Sequence, residues 1–319
     1  MKAALVTRYD APPAYADVEE PRATGPHDVI VDVLAAGLHP RVLSQADGSH
    51  YTSTAELPLV PGIDGVGRDP EGRLRFFVLD DTTQGSMAER TVVDVRRSVV
   101  LPDDCDPVAV AAAMNPAMSS WIALRRRIAF HPGQSALVLG ATGNAGRMAV
   151  QVLRLLGASS VVAAGRDEGR LTELASLGAD VRVRLDAPDT RSALGAAAAD
   201  VDVVVDYVWG EPTAAAMTAV VTDRVDRGRD LTWIEVGSVA GPVAAIPSAA
   251  LRAARLSIVG SGQGSVSTPD IVAELPSLAD VISEGRLTVD ARPVPLREVG
   301  DVWTDARRTG HRIVVVPGA

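Results

Sequence analysis

The stretch Ser135–Arg147, with the sequence SALVLGATGNAGR, constrains this chain more than any other. Its apolar residues 136–139 predict a short buried strand, and the residues after them predict a glycine turn and a helix over about 145–156. A strand, a glycine turn and a helix N-terminus bring free backbone N–H groups and the positive end of a helix dipole to one point. The stretch therefore predicts a pyrophosphate-binding loop.

Three glycines in this loop have separate expected tasks. Gly140 permits the tight turn, Gly143 permits close approach of a phosphate, and Gly146 permits the helix to pack on the strand. Glycine is also common in ordinary turns, so the glycine pattern alone is equally compatible with a turn that binds no nucleotide.

The next apolar run, Val161–Ala164, predicts the second strand of a βαβ unit of the expected length. The residues after it are Gly165 and Arg166, where an NAD-binding unit would place an acidic residue. Arg166 can pair with a 2′-phosphate, and Arg170, one helical turn further on, could add a second cation. This favours NADP(H) over NAD(H); the alternative is that both arginines belong to a solvated helix start.

Composition excludes several other classes of protein. The chain has 319 residues, enough for two domains, and a net charge of −9 without a basic tract, which argues against a nucleic acid or an anionic membrane as partner. No signal peptide or apolar run of membrane-spanning length is expected, and the single cysteine suits the cytoplasm. Lys2 is the one lysine, so Schiff-base catalysis and a tyrosine–lysine proton relay are not expected.

The order of predicted elements indicates two domains. Short strands with tight turns before about residue 100 predict a compact β-barrel, and Met114–Pro116 is expected to interrupt the helical stretch that follows. From Ser135 to Ser261, six predicted strands alternate with helices, which indicates an open, doubly wound parallel sheet. We expect this domain, at 119–262, to be inserted in a first domain made of 1–118 and 263–319.

Six segments in this order carry a resemblance to a known family. They are Val60–Gly67, Gly85–Glu89, Ala136–Gly146, Leu177–Asp180, Val236–Ser238 and Ile258–Ser261. Together they resemble the medium-chain dehydrogenase/reductase superfamily, in its zinc-free, quinone oxidoreductase-like branch. The resemblance covers almost the whole chain, and its specificity comes from the order and spacing of the segments.

The resemblance implies a GroES-like β-barrel domain with an inserted Rossmann domain and NADP(H) in the cleft between them. It implies that the pyrophosphate lies along residues of the glycine loop, that Gly165 and Arg166 surround the adenosine ribose, and that Asn115 lies near the nicotinamide half. It also implies a homodimer formed at the last strand of the sheet. The implied loop and nicotinamide-pocket residues are Ala141, Thr142, Gly143, Asn144 and Ala145, and Gly237, Ser238, Ser261 and Gly262.

Two departures concern the zinc sites of other members of the superfamily. Zinc-bearing members have a cysteine and a Gly-His-Glu where this chain has Leu38–Pro40 and Gly62–Asp64, and one cysteine cannot form their four-cysteine lobe. No metal site is therefore expected. His39 also stands where the zinc-free branch often has asparagine.

Without a metal or a lysine, the expected reaction is hydride transfer from NADPH to an acceptor that is already electrophilic, a quinone or an α,β-unsaturated carbonyl. His39 and Tyr51 are the candidate catalytic hydrogen-bond donors. His39 could instead cap a turn, and Tyr51 could be rim packing. A redox-sensing NADP(H)-binding protein with little turnover and a reductase of a natural-product pathway are the alternative functions.

Overall fold

The computed structural model describes residues 1–50, 53–54, 56–262, 264–307 and 311–319. They form two compact units, one made of Met1–Asn115 with Val272–Ala319 and the other of Pro116–Ile271. The domain boundaries expected from the sequence, at 118/119 and 262/263, remain predictions.

The strands of the described residues are β1 (Lys2–Leu5), β2 (Ala14–Asp17), β3 (Asp28–Gly37), β4 (Asp64–Arg68), β5 (Leu74–Val78), β6 (Arg90–Asp94), β7 (Ser98–Val100), β8 (Ser135–Leu139), β9 (Ser160–Gly165), β10 (Val181–Arg184), β11 (Val203–Asp206), β12 (Leu231–Glu235), β13 (Leu256–Gly260), β14 (Ala291–Pro295) and β15 (Arg312–Val316). The α-helices are α1 (Pro40–Ala46), α2 (Pro107–Ile122), α3 (Asn144–Leu155), α4 (Glu168–Glu173), α5 (Thr190–Ala198), α6 (Gly210–Asp223), α7 (Ser248–Ala253), α8 (Thr268–Ser283) and α9 (Val299–Trp303).

The second unit is built on a six-stranded parallel sheet in the order β10-β9-β8-β11-β12-β13. When the six strands are numbered along the chain, their order in the sheet is 3-2-1-4-5-6, which is the doubly wound order. The strand order reverses between the neighbouring strands β8 and β11. The valine-, alanine- and leucine-rich strands β8, β9 and β11 are buried at almost every position because helices cover both faces. All six strands lie where the sequence predicted them, whereas α5 was not predicted because its alanine-rich sequence has only a weak apolar face.

The first unit contains a mixed sheet in the order β14-β15-β3-β4-β5-β7, with β6 also paired to β3, and a separate pair of β1 with β2. The long strand β3 is its centre, because it pairs with β4, β6 and β15. The chain's last strand thus joins a sheet begun near its N-terminus, as expected for a domain that carries an insertion. The predicted fold class, a GroES-like β domain with an inserted Rossmann domain, is confirmed.

Helix α2 corrects one expectation. Met114–Pro116 was expected to interrupt the helix, but α2 runs through Pro116 and continues into a π-helical turn over Ala123–Arg127. Ala113, Met114 and Ala117 are fully buried around the proline, so packing offsets the roughly 3 kcal/mol that an interior proline costs. Within the described part of the chain, Pro107–Arg127 is the one helical span long and apolar enough to cross a membrane, and 67% of its most apolar window is buried inside the protein, as in a core helix.

Candidate functional site

The glycine loop begins directly at the end of β8. Gly140 has a φ of +81°, a conformation that favours glycine. Its N–H and that of Ala141 both donate to the Ala164 carbonyl of β9, at 2.9 Å each, and the Gly143 N–H donates to the Gly140 carbonyl at 3.1 Å. The loop is therefore a tight turn held against the neighbouring strand.

The other two glycines have different surroundings. A Cβ on Gly146 would lie 2.3 Å from the Gly140 carbonyl oxygen, so helix α3 reaches this loop only because the residue is glycine. A Cβ on Gly143 would meet one atom within 4 Å, the Gly140 carbonyl oxygen at 3.5 Å, so one side of Gly143 is open. The N–H groups at 144–146 open α3 and have no partner within the helix. The loop has the form of an anion cradle, as the sequence predicts.

The end of β9 packs against this loop. A Cβ on Gly165 would lie 2.5 Å from Thr142 Cγ2, so the absent side chain leaves room for the threonine. The Arg170 guanidinium donates to the Thr142 carbonyl oxygen at 2.9 Å, and the Arg170 N–H is capped by Asp167. Arg170 therefore braces the glycine loop, a contact that the sequence did not predict.

Arg166 is the first residue after β9, and its side chain is exposed. It forms no hydrogen bond or ion pair with the residues that the structure describes. The hydrogen bond from Arg184 lowers the pKa of the nearby Asp186, and the charge of Arg166 adds to this effect. Arg166 thus presents an uncommitted guanidinium beside the end of β9.

The end of β11 is organised by a buried carboxylate that the sequence analysis missed. Asp206 is fully buried. Its Oδ1 accepts from the N–H groups of Val208 at 2.8 Å and Trp209 at 3.1 Å, and its Oδ2 accepts from Thr213 Oγ1 at 2.6 Å and Trp233 Nε1 at 2.9 Å. One side chain therefore holds the β11–α6 turn, helix α6 and strand β12 together.

The turn held by Asp206 contains two aromatic residues. The buried Tyr207 hydroxyl lies 2.9 Å from Ser119 Oγ, and burial raises the pKa of Tyr207 to about 12, so it stays protonated. Trp209 has a φ of +53° and a ψ of −165° and is partly exposed. Non-glycine residues rarely adopt this backbone conformation.

The predicted nicotinamide-pocket residues follow the next two strands. Gly237 and Ser238 follow β12, and the N–H of Gly237 donates to the Asp206 carbonyl oxygen at 3.2 Å. Ser261 and Gly262 follow β13, and the N–H of Ser261 donates to the Glu235 carbonyl oxygen at 2.8 Å. Burial raises the pKa of Glu235, and the neighbouring Asp206 carboxylate adds a smaller effect in the same direction. These four residues lie at the carboxyl edge of the parallel sheet, as does the glycine loop.

The first unit contains a separate buried polar cluster. His39 precedes α1 and is 2% exposed, and its Nε2 lies 3.1 Å from Asp64 Oδ2. Arg312, also buried, donates to Asn115 Oδ1 at 3.5 Å. Among the described residues, His39 Nδ1, Asp64 Oδ1 and Arg312 Nε have no hydrogen-bond partner. His39 and Asn115 thus lie in one unit, and the predicted catalytic residue Tyr51 lies outside the described residues.

The protonation of this cluster follows from its burial. Burial lowers the pKa of His39, although Asp64 acts in the opposite direction, and the charges of Arg312 and Arg41 lower it further. Burial likewise lowers the pKa of Arg312 to about 10, against the raising effect of Asp64. At neutral pH the imidazole is therefore neutral, with its Nε2–H donated to Asp64 and an acceptor lone pair on Nδ1.

The residues present fit a metal ion poorly. No group of three or more His, Cys, Asp and Glu side chains placed to hold one occurs in the described ranges. The cationic Arg312 acts on both His39 and Asp64, and a second cation beside these two residues would be repelled.

Comparison with known proteins decides the family. No protein-family model matches the chain. A probable NADPH-dependent quinone reductase of Emericella nidulans is 31% identical over 99% of this chain and the whole of the relative. The chain belongs to the quinone oxidoreductase-like medium-chain dehydrogenases/reductases. This is the family that the sequence motifs resemble, so the prediction is confirmed.

Solved structures agree with the fold of this quinone oxidoreductase-like protein. A probable oxidoreductase from Mycobacterium abscessus has a TM-score of 0.80 and 26% identity, with 99% of each chain covered. A quinone oxidoreductase of Thermus thermophilus, whose structures include a complex with NADPH, has a TM-score of 0.78 and 24% identity, with 99% of this chain and all of the other covered.

The structure brings most of the predicted site residues of this quinone oxidoreductase-like chain to one edge of one sheet. Sequence analysis missed the buried polar side chains of Asp64, Asp206 and Arg312. It also missed the hydrogen bond by which Arg170 braces the glycine loop. Asp206 follows three valines at the end of a predicted strand. An acidic residue in that position was the signal that could have identified it.

Proposed function

We propose that this protein is an NADPH-dependent oxidoreductase that transfers hydride to a quinone or an α,β-unsaturated carbonyl without a metal ion. The observation that carries the proposal is the open cradle at Gly143, next to the uncommitted guanidinium of Arg166, at the carboxyl edge of a doubly wound sheet. The relative from Emericella nidulans, named as a probable NADPH-dependent quinone reductase, supports the same activity.

The chain's own residues hold the cofactor in this proposal. The loop from Ala141 through Thr142, Gly143, Asn144 and Ala145 donates backbone N–H groups to the pyrophosphate. Gly165 and Arg166 surround the adenosine ribose, and Arg166 pairs with the 2′-phosphate while Arg170 braces the loop. Gly237, Ser238, Ser261 and Gly262 line the nicotinamide end, and the family resemblance assigns Asn115 to the same half of the cofactor. NADPH, when bound, supplies the hydride.

The acceptor gains that hydride together with a proton that originates in solvent, so a quinone becomes a hydroquinone and an enone becomes a saturated ketone. Negative charge that develops on the acceptor oxygen is stabilised by hydrogen-bond donors. We assign this role to Tyr51 and His39. The Nε2–H of His39 is donated to Asp64, so in this proposal His39 donates to the acceptor oxygen from Nδ1, after it has taken up a proton there.

An acceptor panel tests the proposal. Purified protein is mixed with NADPH or NADH and with menadione, phenanthrenequinone or methyl vinyl ketone, and loss of the reduced cofactor is followed by absorbance. We expect oxidation of NADPH in preference to NADH with at least one acceptor. Tight NADPH binding without reduction of any acceptor would instead support a redox sensor. If the protein reduced only a complex natural product, a pathway-specific reductase would be supported.

Independence from metal has its own test. Elemental analysis of the active protein should find less than stoichiometric zinc, and dialysis against a chelator should leave turnover unchanged. Stoichiometric zinc that is lost together with activity would contradict this part of the proposal.

We also propose a homodimer in the cytoplasm. Strand β13 ends the sheet order and has β12 as its neighbour within the described part of the chain, which leaves one edge available for pairing. Light scattering should give twice the chain mass. A monomer at micromolar concentration would contradict the dimer, and fractionation of the source cells would test the compartment.

A further inference from the structure

Trp209 stands out because its backbone has a conformation that glycine normally adopts. Trp209 is the one non-glycine residue with a positive φ in the described ranges. Glycine would adopt this conformation without steric cost, whereas a residue with a Cβ is strained there. Such strain is tolerated where the surrounding structure fixes the backbone conformation. A large side chain at a strained position therefore indicates that the side chain itself has a function.

The surroundings of Trp209 hold its backbone rigidly. Asp206 accepts from the N–H groups of both Val208 and Trp209. The Val208 carbonyl oxygen accepts from the Ala240 N–H at 2.9 Å, and a Cβ on Gly210 would lie 3.0 Å from the Ala240 carbonyl oxygen. The turn after β11 is thus fixed to the sheet on one side and to the loop after β12 on the other.

The position of this turn is where a ligand binds in such a sheet. β11 lies beside β8 at the point where the strand order reverses, and ligands of doubly wound sheets bind at the carboxyl ends of the strands there. A Cβ on Gly237, a predicted nicotinamide-pocket residue, would lie 3.3 Å from the Tyr207 carbonyl oxygen. Trp209 therefore follows two residues after Tyr207, whose carbonyl oxygen lies beside this residue of the proposed pocket.

The side chain itself suits one kind of acceptor. Trp121 and Trp233 are buried, but Trp209 is partly exposed, and its indole N–H donates to no residue that the structure describes. An indole offers an electron-rich plane and one hydrogen-bond donor. A polycyclic quinone is an electron-poor plane that carries carbonyl acceptors, whereas a short aliphatic enone has too little surface to stack.

We propose that Trp209 is a specificity-determining residue that stacks on the ring system of a planar, polycyclic quinone and so selects quinones over aliphatic enones. This inference rests on the proposed function for its site, and it names the substrate class within it.

The test separates binding from turnover. The dissociation constant of phenanthrenequinone is measured by calorimetry on NADP⁺-loaded protein, in which no reduction occurs, for the wild type and for Trp209→Gly, Trp209→Ala and Trp209→Phe. We expect an increase of about tenfold or more for the glycine and alanine variants and less than about twofold for phenylalanine, which keeps an aromatic plane. The NADP⁺ dissociation constant should change by less than about twofold in all three.

Thermal unfolding of the same variants tests the strain argument. Glycine and alanine both remove the indole, but alanine keeps the Cβ that the backbone disfavours. We expect Trp209→Gly to melt at a higher temperature than Trp209→Ala, and both to remain folded.

Three results would overturn the inference. They are a wild type that does not bind phenanthrenequinone, glycine and alanine variants that bind it as the wild type does, and variants that lose NADP⁺ binding to the same extent as quinone binding. Failure of the proposed function would look different, because quinone binding would then depend on Trp209 while no acceptor oxidised NADPH.

Discussion

The Nε2 atom of His39 lies 3.1 Å from Asp64 Oδ2, and both side chains are almost completely buried. An aspartate partner alone would raise the pKa of a histidine, but burial is the larger effect here and lowers it. The imidazole is therefore held neutral in one tautomer. This relationship commits the Nε2–H of His39 to Asp64 and leaves Nδ1 without a hydrogen-bond partner among the described residues. The assignment of His39 as a catalytic hydrogen-bond donor stays a prediction.

Folding stability should depend on pH through His39. Its folded-state pKa lies below the unfolded value of about 6.5, so the unfolded chain binds a proton that the folded chain does not. This contribution to stability is complete above pH 6.5 and is lost as pH falls through the folded-state pKa. Urea unfolding from about pH 8 to about pH 5 should show a shallower loss of stability in His39→Asn than in the wild type, by at most about 1.4 kcal/mol per pH unit. Parallel curves for the two proteins would exclude His39 as the source.

The predicted catalytic residues can be tested together. We expect the double variant His39→Ala/Tyr51→Phe to lower turnover by at least about tenfold, because hydrogen-bond stabilisation of the developing oxyanion is lost. The NADPH dissociation constant, measured by fluorescence, should change little and serves as the folding control. Full turnover in the double variant would remove both residues from the mechanism.

The glycine loop offers a matched pair of substitutions. Gly146→Ala should destabilise the fold by about 1–3 kcal/mol, because the new Cβ would lie 2.3 Å from the Gly140 carbonyl oxygen. Gly143→Ala should leave stability within about 0.5 kcal/mol, because its Cβ has space, but should raise the NADPH dissociation constant by about tenfold or more by filling the cradle. Urea unfolding and fluorescence titration measure the two effects. The cradle assignment fails if Gly143→Ala binds NADPH as tightly as the wild type.

Arg166 and Arg170 should differ in their effects on cofactor choice. Arg166→Ala removes the guanidinium, which is unpaired among the described residues, so it should raise the NADPH dissociation constant by about tenfold or more. The NADH dissociation constant should change by less than about twofold. Arg170→Ala removes the hydrogen bond to the Thr142 carbonyl oxygen that braces the loop, so it should raise the dissociation constants of NADPH and NADH by a similar factor. Calorimetry with each cofactor compares the two variants. Equal loss of NADPH and NADH in Arg166→Ala would contradict recognition of the 2′-phosphate.

Asp206 should be the most sensitive polar residue of the second unit. Its two oxygens accept four hydrogen bonds, and Asp206→Asn places an N–H donor where two of those donors point. We expect a loss of about 2–4 kcal/mol in the free energy of unfolding, against about 1 kcal/mol for Thr213→Val, which removes one bond at constant shape. Denaturant unfolding measures both. Equal losses in the two variants would show that Asp206 is not the centre of this network.

The sequence alone determined the parts of this protein that depend on local pattern. Six apolar runs separated by helical segments identify the strands of the parallel sheet, and the glycines at 140, 143 and 146 identify the turn, because spacing and backbone freedom are local properties. The tertiary structure decided the parts that depend on distant residues. His39 with Asp64, Arg170 with the loop at 142, and Asp206 with Trp233 are each brought together only by folding, and their protonation and orientation follow from burial that no local window of sequence contains. Helix α2 likewise runs through Pro116 because tertiary packing outweighs the local preference of proline.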